Sequence, residues 1–385
     1  MDFELSDDQI QFQRTLREFV RKQIIPVARE WEREGRYPTE IVDSMKSLGL
    51  FGITVPQKYG GLGLDSISLS IVFEEISRGW MGIAGILGSH SIGCALIANH
   101  GTDEQKNRFL PELASGVRRT AIALTEAGAG SDLQGISTKA RRDGDSYVIQ
   151  GSKIWITNAR FANPLPVLVK TDLSAAPAHK GMSVLLVESG TPGMTISRDM
   201  GKLGYHGPES CEVVFDDVRV SSENLLGGIE GKGLQQVLSG LEIGRVNIAA
   251  RSVGIAQAAF DAAIDYAQQR EAFGEPIANF QAIQLKLADM ATKIEASRLL
   301  TWWASSKIDQ GIRADIEAGM AKYFASEAAI DCSLESMRIH GGHGYSTELT
   351  VERLYRDAPL MAIGEGTNDM QRLLIARGLL RRNKK

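Results

Sequence analysis

TAIALTEAGAGSDLQG, residues 120–135, is where the chain changes character. From Thr120 to about Leu226 the apolar period shortens to two, the spacing of half-buried strands. Candidate strands are 120–125, 137–142, 146–149, 153–157, 165–170, 182–188, 194–197 and 211–215, with Asp143-Gly144 as a hairpin signal. The glycines after Glu126 have the wrong spacing for a dinucleotide-binding turn, and a strand follows them instead of a helix. Short strands between turns imply an antiparallel sheet or barrel, not alternating βαβ units. The glycine-rich turn bares backbone N–H groups that can cradle a phosphate or an electron-rich ring, although a long β-turn is the plain alternative.

Both flanks read as helix. Ser6 and Gln9 make a capping-box pattern ahead of Ile10, Leu16, Phe19, Val20 and Ile24, and Pro26 marks a kink or break. Further helical stretches lie near 41–48, 66–78, 89–99 and 103–114, around a glycine-marked loop at 55–65, VPQKYGGLGLD. Beyond Gly233 the helices are longer, roughly 233–268, 279–309, 313–340 and 369–381, and small residues from Ala249 to Ala263 suit a tight bundle. The expected class is α+β: an N-terminal α-helical domain (1–118), a middle antiparallel β-barrel or sheet domain (119–230) and a C-terminal four-helix bundle (231–385).

Composition excludes several function classes. A net charge of −4 offers no basic excess for nucleic acid. No apolar run approaches the ~20 residues of a membrane span, and the acidic start MDFELSDDQ does not read as a signal peptide. Cys94, Cys211 and Cys332 form no CxxC pair, which fits a reducing cytoplasm. The histidines show no metal-ligand spacing, so no metal is expected.

Four segments carry candidate chemistry. In AIGEGTNDMQ, 362–371, Glu365 stands between two glycines just before a helix start. Asn368 is the expected cap, Asp369 suits the helix dipole, and Met370, Leu373, Leu374 and Leu380 read as a buried stripe. A carboxylate so presented is either a general base or an ordinary turn residue. In KIWITNA, 153–159, Trp155 lies on the opposite face from Ile154 and Ile156, placed to stack on a planar cofactor or simply to fill the core. In QQREAFGEPIANFQAIQ, 268–284, Arg270 suits a pyrophosphate, or caps a helix end. In RIHGGHGYSTE, 338–348, Gly341 and Gly342 permit close backbone approach.

These segments, with GTDEQKNRFLPELASG and IHGGHGYSTELTVERLYRDA in register, resemble the acyl-CoA dehydrogenase family over nearly the whole chain. The resemblance implies FAD as cofactor, an acyl-CoA substrate, an electron-transfer flavoprotein as acceptor and a homotetramer. It implies that Glu365 removes the α-proton of the thioester while the β-hydride leaves for the flavin. It implies that Ile122 to Ser131 wrap the flavin, including Leu124 and Gly130, with Thr125 and Ser131 in contact, and that Trp155, Ile156 and Thr157 line it. Arg270, Phe273 and Gln281 match contacts across a subunit interface, as do Arg338, Gly341 and Gly342; Thr367 and Asp369 match residues closing over the cofactor. Ser131, Glu242, Arg245 and Gly366 match substrate contacts. The developing enolate would be met by a flavin hydroxyl and the N–H of Glu365.

Two departures stand out. Some relatives carry the base on the helix, one residue before Arg245, where this chain has Gly244. Many have an aromatic residue where this chain has Gly364. Extra room at both glycines suggests a branched or cyclic acyl group, with a short straight chain as the alternative. Other functions compatible with the resemblance are action on a carrier-protein thioester, an oxygen-using oxidase, and, in a different class, a nucleic-acid-binding damage-response relative.

Overall fold

The computed structural model describes residues 4–383; Met1 to Phe3 of the acidic start and Lys384 and Lys385 of the basic tail lie outside them. Ser6 and Gln9 cap the first helix reciprocally, as their spacing predicts. Pro26 does not break that helix. α1 (Asp7–Phe19) runs through one wide π turn at Val20–Ile24 into α2 (Ile25–Arg33). The wide turn lets the Ile25 N–H reach Val20 O and sets the proline in the new helix's first turn, where its missing N–H costs least. α3 (Thr39–Ser47), α4 (Ser66–His100) and α5 (Asp103–Ala114) complete the N-terminal helices.

The expected stretches 66–78 and 89–99 are one element, α4, bent at Trp80, whose φ of −160° and ψ of 105° leave the helical region. Glycines in its middle weaken helix propensity, and tertiary packing overrides that cost because neighbours press against the bare Cα atoms. By length and composition α4 could cross a membrane, which corrects the sequence reading, but 89% of its most apolar window is buried inside the protein.

The middle of the chain forms β1 (Lys139–Asp143), β2 (Ser146–Thr157), β3 (Leu165–Lys170), β4 (Met182–Val187), β5 (Met194–Ile196) and β6 (Ser210–Ser221). They make a six-stranded sheet in the order β4-β3-β1-β2-β6-β5. All pairings are antiparallel except β1 with β3, so the sheet is mixed. The hairpin at Gly144 forms as expected, with Asp143 opposite Ser146. Segments 146–149 and 153–157 belong to the single strand β2, whose register slips against β6 near Gly151 and again before Ile156. Residues 120–125 are not a strand; Ala123 alone bridges Val167.

α6 (Gly233–Gln269) leads through the small hairpin β7 (Glu271–Ala272) and β8 (Glu275–Pro276) to α7 (Gln281–Asp309) and α8 (Asp315–His340). α9 (Val351–Ile363), unforeseen in the sequence because Pro359 sits inside it, precedes α10 (Asn368–Arg382). α6 packs on both α4 and α8. Alanines 256, 259, 263 and 267 of α6 share a core with alanines 318, 321, 325 and 329 of α8, where short side chains let the helix axes approach.

Candidate active site

The link between α9 and α10 is four residues, Gly364 to Thr367. Glu365 and Gly366 there have φ of 55° and 85°. A non-glycine residue in the left-handed region is strained, and such strain persists where surrounding structure holds it. The Gln371 side chain folds back to donate to Glu365 O at 3.1 Å and Gly366 O at 3.2 Å. Thr367, not Asn368, caps α10, its hydroxyl accepting from Met370 N at 3.3 Å. Asn368 turns inward to meet Lys322 Nζ at 2.7 Å, and Lys322 also donates to Ala362 O at 3.0 Å. One buried lysine thus ties both ends of the turn. Asp369 is exposed and pairs loosely with Arg372.

The half-buried Glu365 side chain lies against α6. A Cβ built on Gly244 would fall 2.7 Å from Glu365 Oε2. Gly244 is therefore the seat of the carboxylate and offers no room to a substrate, which corrects the expectation of space there. Gly364 does leave space: a Cβ there would meet only Leu360 O at 3.4 Å and Ile248 Cδ1 at 4.0 Å. Among the described residues the Glu365 carboxylate accepts no hydrogen bond. Burial raises its pKa above the usual glutamate value, against the pull of Arg251, Arg245 and Lys322. Of these cations only Arg245 was singled out in the sequence. Arg251 could have been noticed as a lone charge within VNIAARSVGIA, residues 246–256.

Arg245 is buried beside Asp315, Nη1 to Oδ1 3.7 Å. Glu242 shares this cluster; burial, then the adjacent Asp315 carboxyl, push its pKa up to about 7. The pair therefore holds a proton between its carboxyls near neutral pH.

The glycine-rich turn is clamped at its base. Glu126 accepts from Lys153 Nζ at 2.8 Å, from Ser137 N and Oγ at 2.6 Å, and from Thr138 N at 3.0 Å. Burial opposes the charge, but these donors win and hold the Glu126 carboxyl at about 2. Ile154 N donates to Thr125 O at 2.8 Å, which brings the turn and the Trp155 strand together. Ile122, Thr125 and Thr157 are half-buried, Leu124 and Ile156 buried, and Gly130 and Ser131 exposed.

Trp155 does not follow simple alternation. It has φ of 61° at the second register slip of β2, and its ring is 50% exposed. The bulge re-aims the side chain outward instead of into the core.

A second group lies at one end of the helical bundle. Arg270 ends α6, and Phe273 sits at the tip of the β7–β8 hairpin with φ of 55° and 99% exposure. Gln281, Arg338, Gly341 and Gly342 are exposed as well. Tyr266 stacks on His340 at 4.2 Å and meets His343 Nδ1 at 3.1 Å, so these histidines serve packing at that end. Among the described residues no hydrogen bond, ion pair or ring contact joins this group to Thr125 or Trp155.

These surfaces fit a large planar, phosphorylated cofactor. Nothing lies within 4 Å of where a Cβ of Gly128 would be, so the turn's backbone is open to approach. Trp155 offers a ring face. Arg270 has no hydrogen-bond or ion-pair partner for its guanidinium among the described residues, leaving its donors free for phosphate.

Three family models match the chain: the acyl-CoA dehydrogenase N-terminal domain over residues 6–117, the middle domain over 121–218 and the C-terminal domain over 231–380. The short-chain specific acyl-CoA dehydrogenase of Rattus norvegicus mitochondria is 41% identical over 98% of this chain and 91% of its own. The structure of butyryl-CoA dehydrogenase from Megasphaera elsdenii superposes with a TM-score of 0.96 at 39% identity, covering 99% of this chain and 100% of that one. A chain in a structure described as the electron transferring flavoprotein of Acidaminococcus fermentans superposes with a TM-score of 0.95 at 37% identity, covering 99% and 100%.

Proposed function

The chain belongs to the acyl-CoA dehydrogenase family, and on that premise we propose that it desaturates an acyl-CoA between its α- and β-carbons with Glu365 as the base. The protein is an oxidoreductase acting on acyl-CoA, and its cofactor is FAD. The observation that carries the role of Glu365 is its seat: a carboxylate held on a strained turn against Gly244, partly desolvated, with no hydrogen bond to satisfy it among the described residues. Such a group is poised to accept a proton.

In this reading the thioester lies between the Glu365 turn and the Trp155 strand. Glu365 takes the α-proton. Its own N–H, which has no acceptor among the described residues, faces the developing charge on the thioester oxygen. Bound FAD supplies the acceptor for the β-hydride. Ile122, Leu124, Thr125, Gly130 and Ser131, with Trp155, Ile156 and Thr157, would hold the flavin end. Arg270, Phe273 and Gln281, with Arg338, Gly341 and Gly342, would reach the cofactor of a neighbouring subunit. Their exposure in the single chain and their separation from the Trp155 group support a shared site in a homotetramer. Thr367 and Asp369 would close over the cofactor. Glu242, Arg245, Ser131 and Gly366 would border the substrate. Electrons would pass to an electron-transfer flavoprotein in the cytoplasm.

Anaerobic titration of the purified flavoprotein with acyl-CoAs tests the reading, since a substrate bleaches the flavin. Glu365→Gln should keep the flavin and lower its reduction rate by on the order of 10²–10⁴-fold, the usual contribution of a positioned base. Undiminished reduction in that variant refutes the assignment.

A further inference from the structure

Arg251 is 5% exposed and lies two helical turns beyond Gly244 on the same face of α6. Among the described residues no carboxylate lies within ion-pairing distance of it. Among them its Nη2 meets only the thioether of Met81, at 2.7 Å, and its Nε has no partner. A thioether is a weak acceptor, so among the described residues this buried guanidinium has no hydrogen-bonded anion, and the Glu365 carboxylate acts on it through space. Buried charges are normally matched by an opposite charge.

The surroundings repeat the pattern. The Tyr205 ring lies 5.2 Å below the guanidinium carbon. Tyr205 has φ of 60°, and its N–H is pinned by Asp357 Oδ1 at 2.7 Å. Its hydroxyl, set against the bare Cα of Gly85, has no hydrogen-bond partner among the described residues. One turn nearer Glu365, Asn247 is 2% exposed and its Oδ1 has no hydrogen-bond partner among the described residues. Three polar side chains with spare hydrogen-bonding capacity therefore line one strip between α6 and α4, leading away from the Glu365 carboxylate.

We propose that the acyl group of the substrate ends in a second carboxylate, which Arg251 binds with help from the Tyr205 hydroxyl and the Asn247 amide. The inference rests on the acyl-CoA dehydrogenase reading. Gly244 and Arg251 are separated by a helical rise of roughly 10 Å, and helical side chains lean back toward the N-terminus. What remains is a few ångströms, the span of a four- or five-carbon diacid whose α-carbon sits at Glu365. The chemistry at Glu365 is unchanged: the α-proton goes to its carboxylate and the β-hydride to FAD. The far carboxylate also neutralises Arg251, removing one of the cations that hold the base's proton affinity down.

The test compares mono-CoA thioesters of four- and five-carbon α,ω-diacids with the uncharged straight-chain thioesters of equal length. The wild-type holoenzyme should show kcat/KM at least tenfold higher for the diacid thioesters. Dissociation constants for the unsaturated diacid products, read from perturbation of the flavin spectrum, should show the same preference. Arg251→Gln should collapse both ratios tenfold or more, and Arg251→Lys should restore part of them; flavin content and melting temperature report folding. Preference of the wild type for the uncharged thioesters overturns the inference while leaving the family-level function intact. So does an Arg251→Gln variant that loses activity equally on both series, with a shifted pH profile; Arg251 would then act only on Glu365. A protein whose flavin no acyl-CoA reduces overturns both.

Discussion

At the scale of the residue, the carboxylate of Glu365 and the bare Cα of Gly244 exclude one another's enlargement. Gly244→Ala places a methyl 2.7 Å from the present position of Oε2. Displacement of a reacting group by about 1 Å can cost on the order of 10²-fold in rate. Gly244→Ala should therefore lower kcat by that order while flavin content stays unchanged, measured by stopped-flow reduction and the visible spectrum. The raised pKa of Glu365 sets two further signs. Activity should rise with pH through an apparent pKa above the ordinary 4.5, because the ionised form is the base. Stability runs the other way. Between 4.5 and the raised value the folded chain holds more proton than the unfolded one, so stability falls as pH rises through that window. Glu365→Gln should thus melt higher than the wild type at pH 7, with the gain vanishing below the ordinary glutamate range. The chemical character of Glu365 was legible in AIGEGTNDMQ, because a glycine-flanked carboxylate before a helix is local information. Its seat on Gly244 and the cations Arg251 and Lys322 were not. They arrive from helices distant in sequence, and no local pattern encodes which faces meet.

At the scale of the element, the glycine-rich turn is held by the Lys153–Glu126 pair, which staples strand β2 to both ends of the turn. Removing one partner of a buried pair leaves the other uncompensated and costs about 3–5 kcal/mol. Glu126→Gln should show that loss in urea unfolding at pH 7, together with weaker flavin retention. The Glu126 pKa is depressed to about 2 in the folded chain, from 4.5. Its stabilisation is therefore complete above about 4.5 and disappears as pH falls toward 2, where wild type and variant should converge. A variant that unfolds like the wild type at pH 7 removes the clamp from the account. The strands were legible from their period of two, but β2 was read as two pieces because a bulge resets the alternation that periodicity relies on. α9 was invisible for a related reason: Pro359 is a breaker by propensity, and packing against α8 and α6 decides otherwise.

At the scale of the whole molecule, the single chain leaves large apolar side chains uncovered on its C-terminal helices. Leu380 is 70% exposed, Leu373 47%, and Leu285 of α7 68%. The buried stripe expected on α10 is not buried in the single chain: Leu373 and Leu380 are exposed, and Met370 and Leu374 are only half-buried. The proposed homotetramer would cover these side chains in a contact between chains. Leu380→Arg should give a smaller species by light scattering and, because Arg270 and Phe273 would serve a neighbour's cofactor, one that carries less FAD. An intact, fully flavinated tetramer would speak against that interface.

α4 has a consequence for synthesis. It carries five glycines in 35 residues, each costing about 1 kcal/mol of helix propensity relative to alanine. What compensates four of them comes later in the chain: Thr120 against Gly93, Asn247 against Gly88, Tyr205 against Gly85 and His206 against Gly82; Gly79 alone of the five meets earlier residues, Val20 and Ile24. While the ribosome is still making the sheet, this long apolar segment has emerged without the surfaces that make it a helix. Nascent chains ending before α6 should therefore depend on a chaperone or aggregate, whereas chains released after residue 340 should not. Pelleting of ribosome-released truncations measures the difference, and soluble, protease-resistant fragments ending at residue 230 would show that the spine of the molecule folds without its partners.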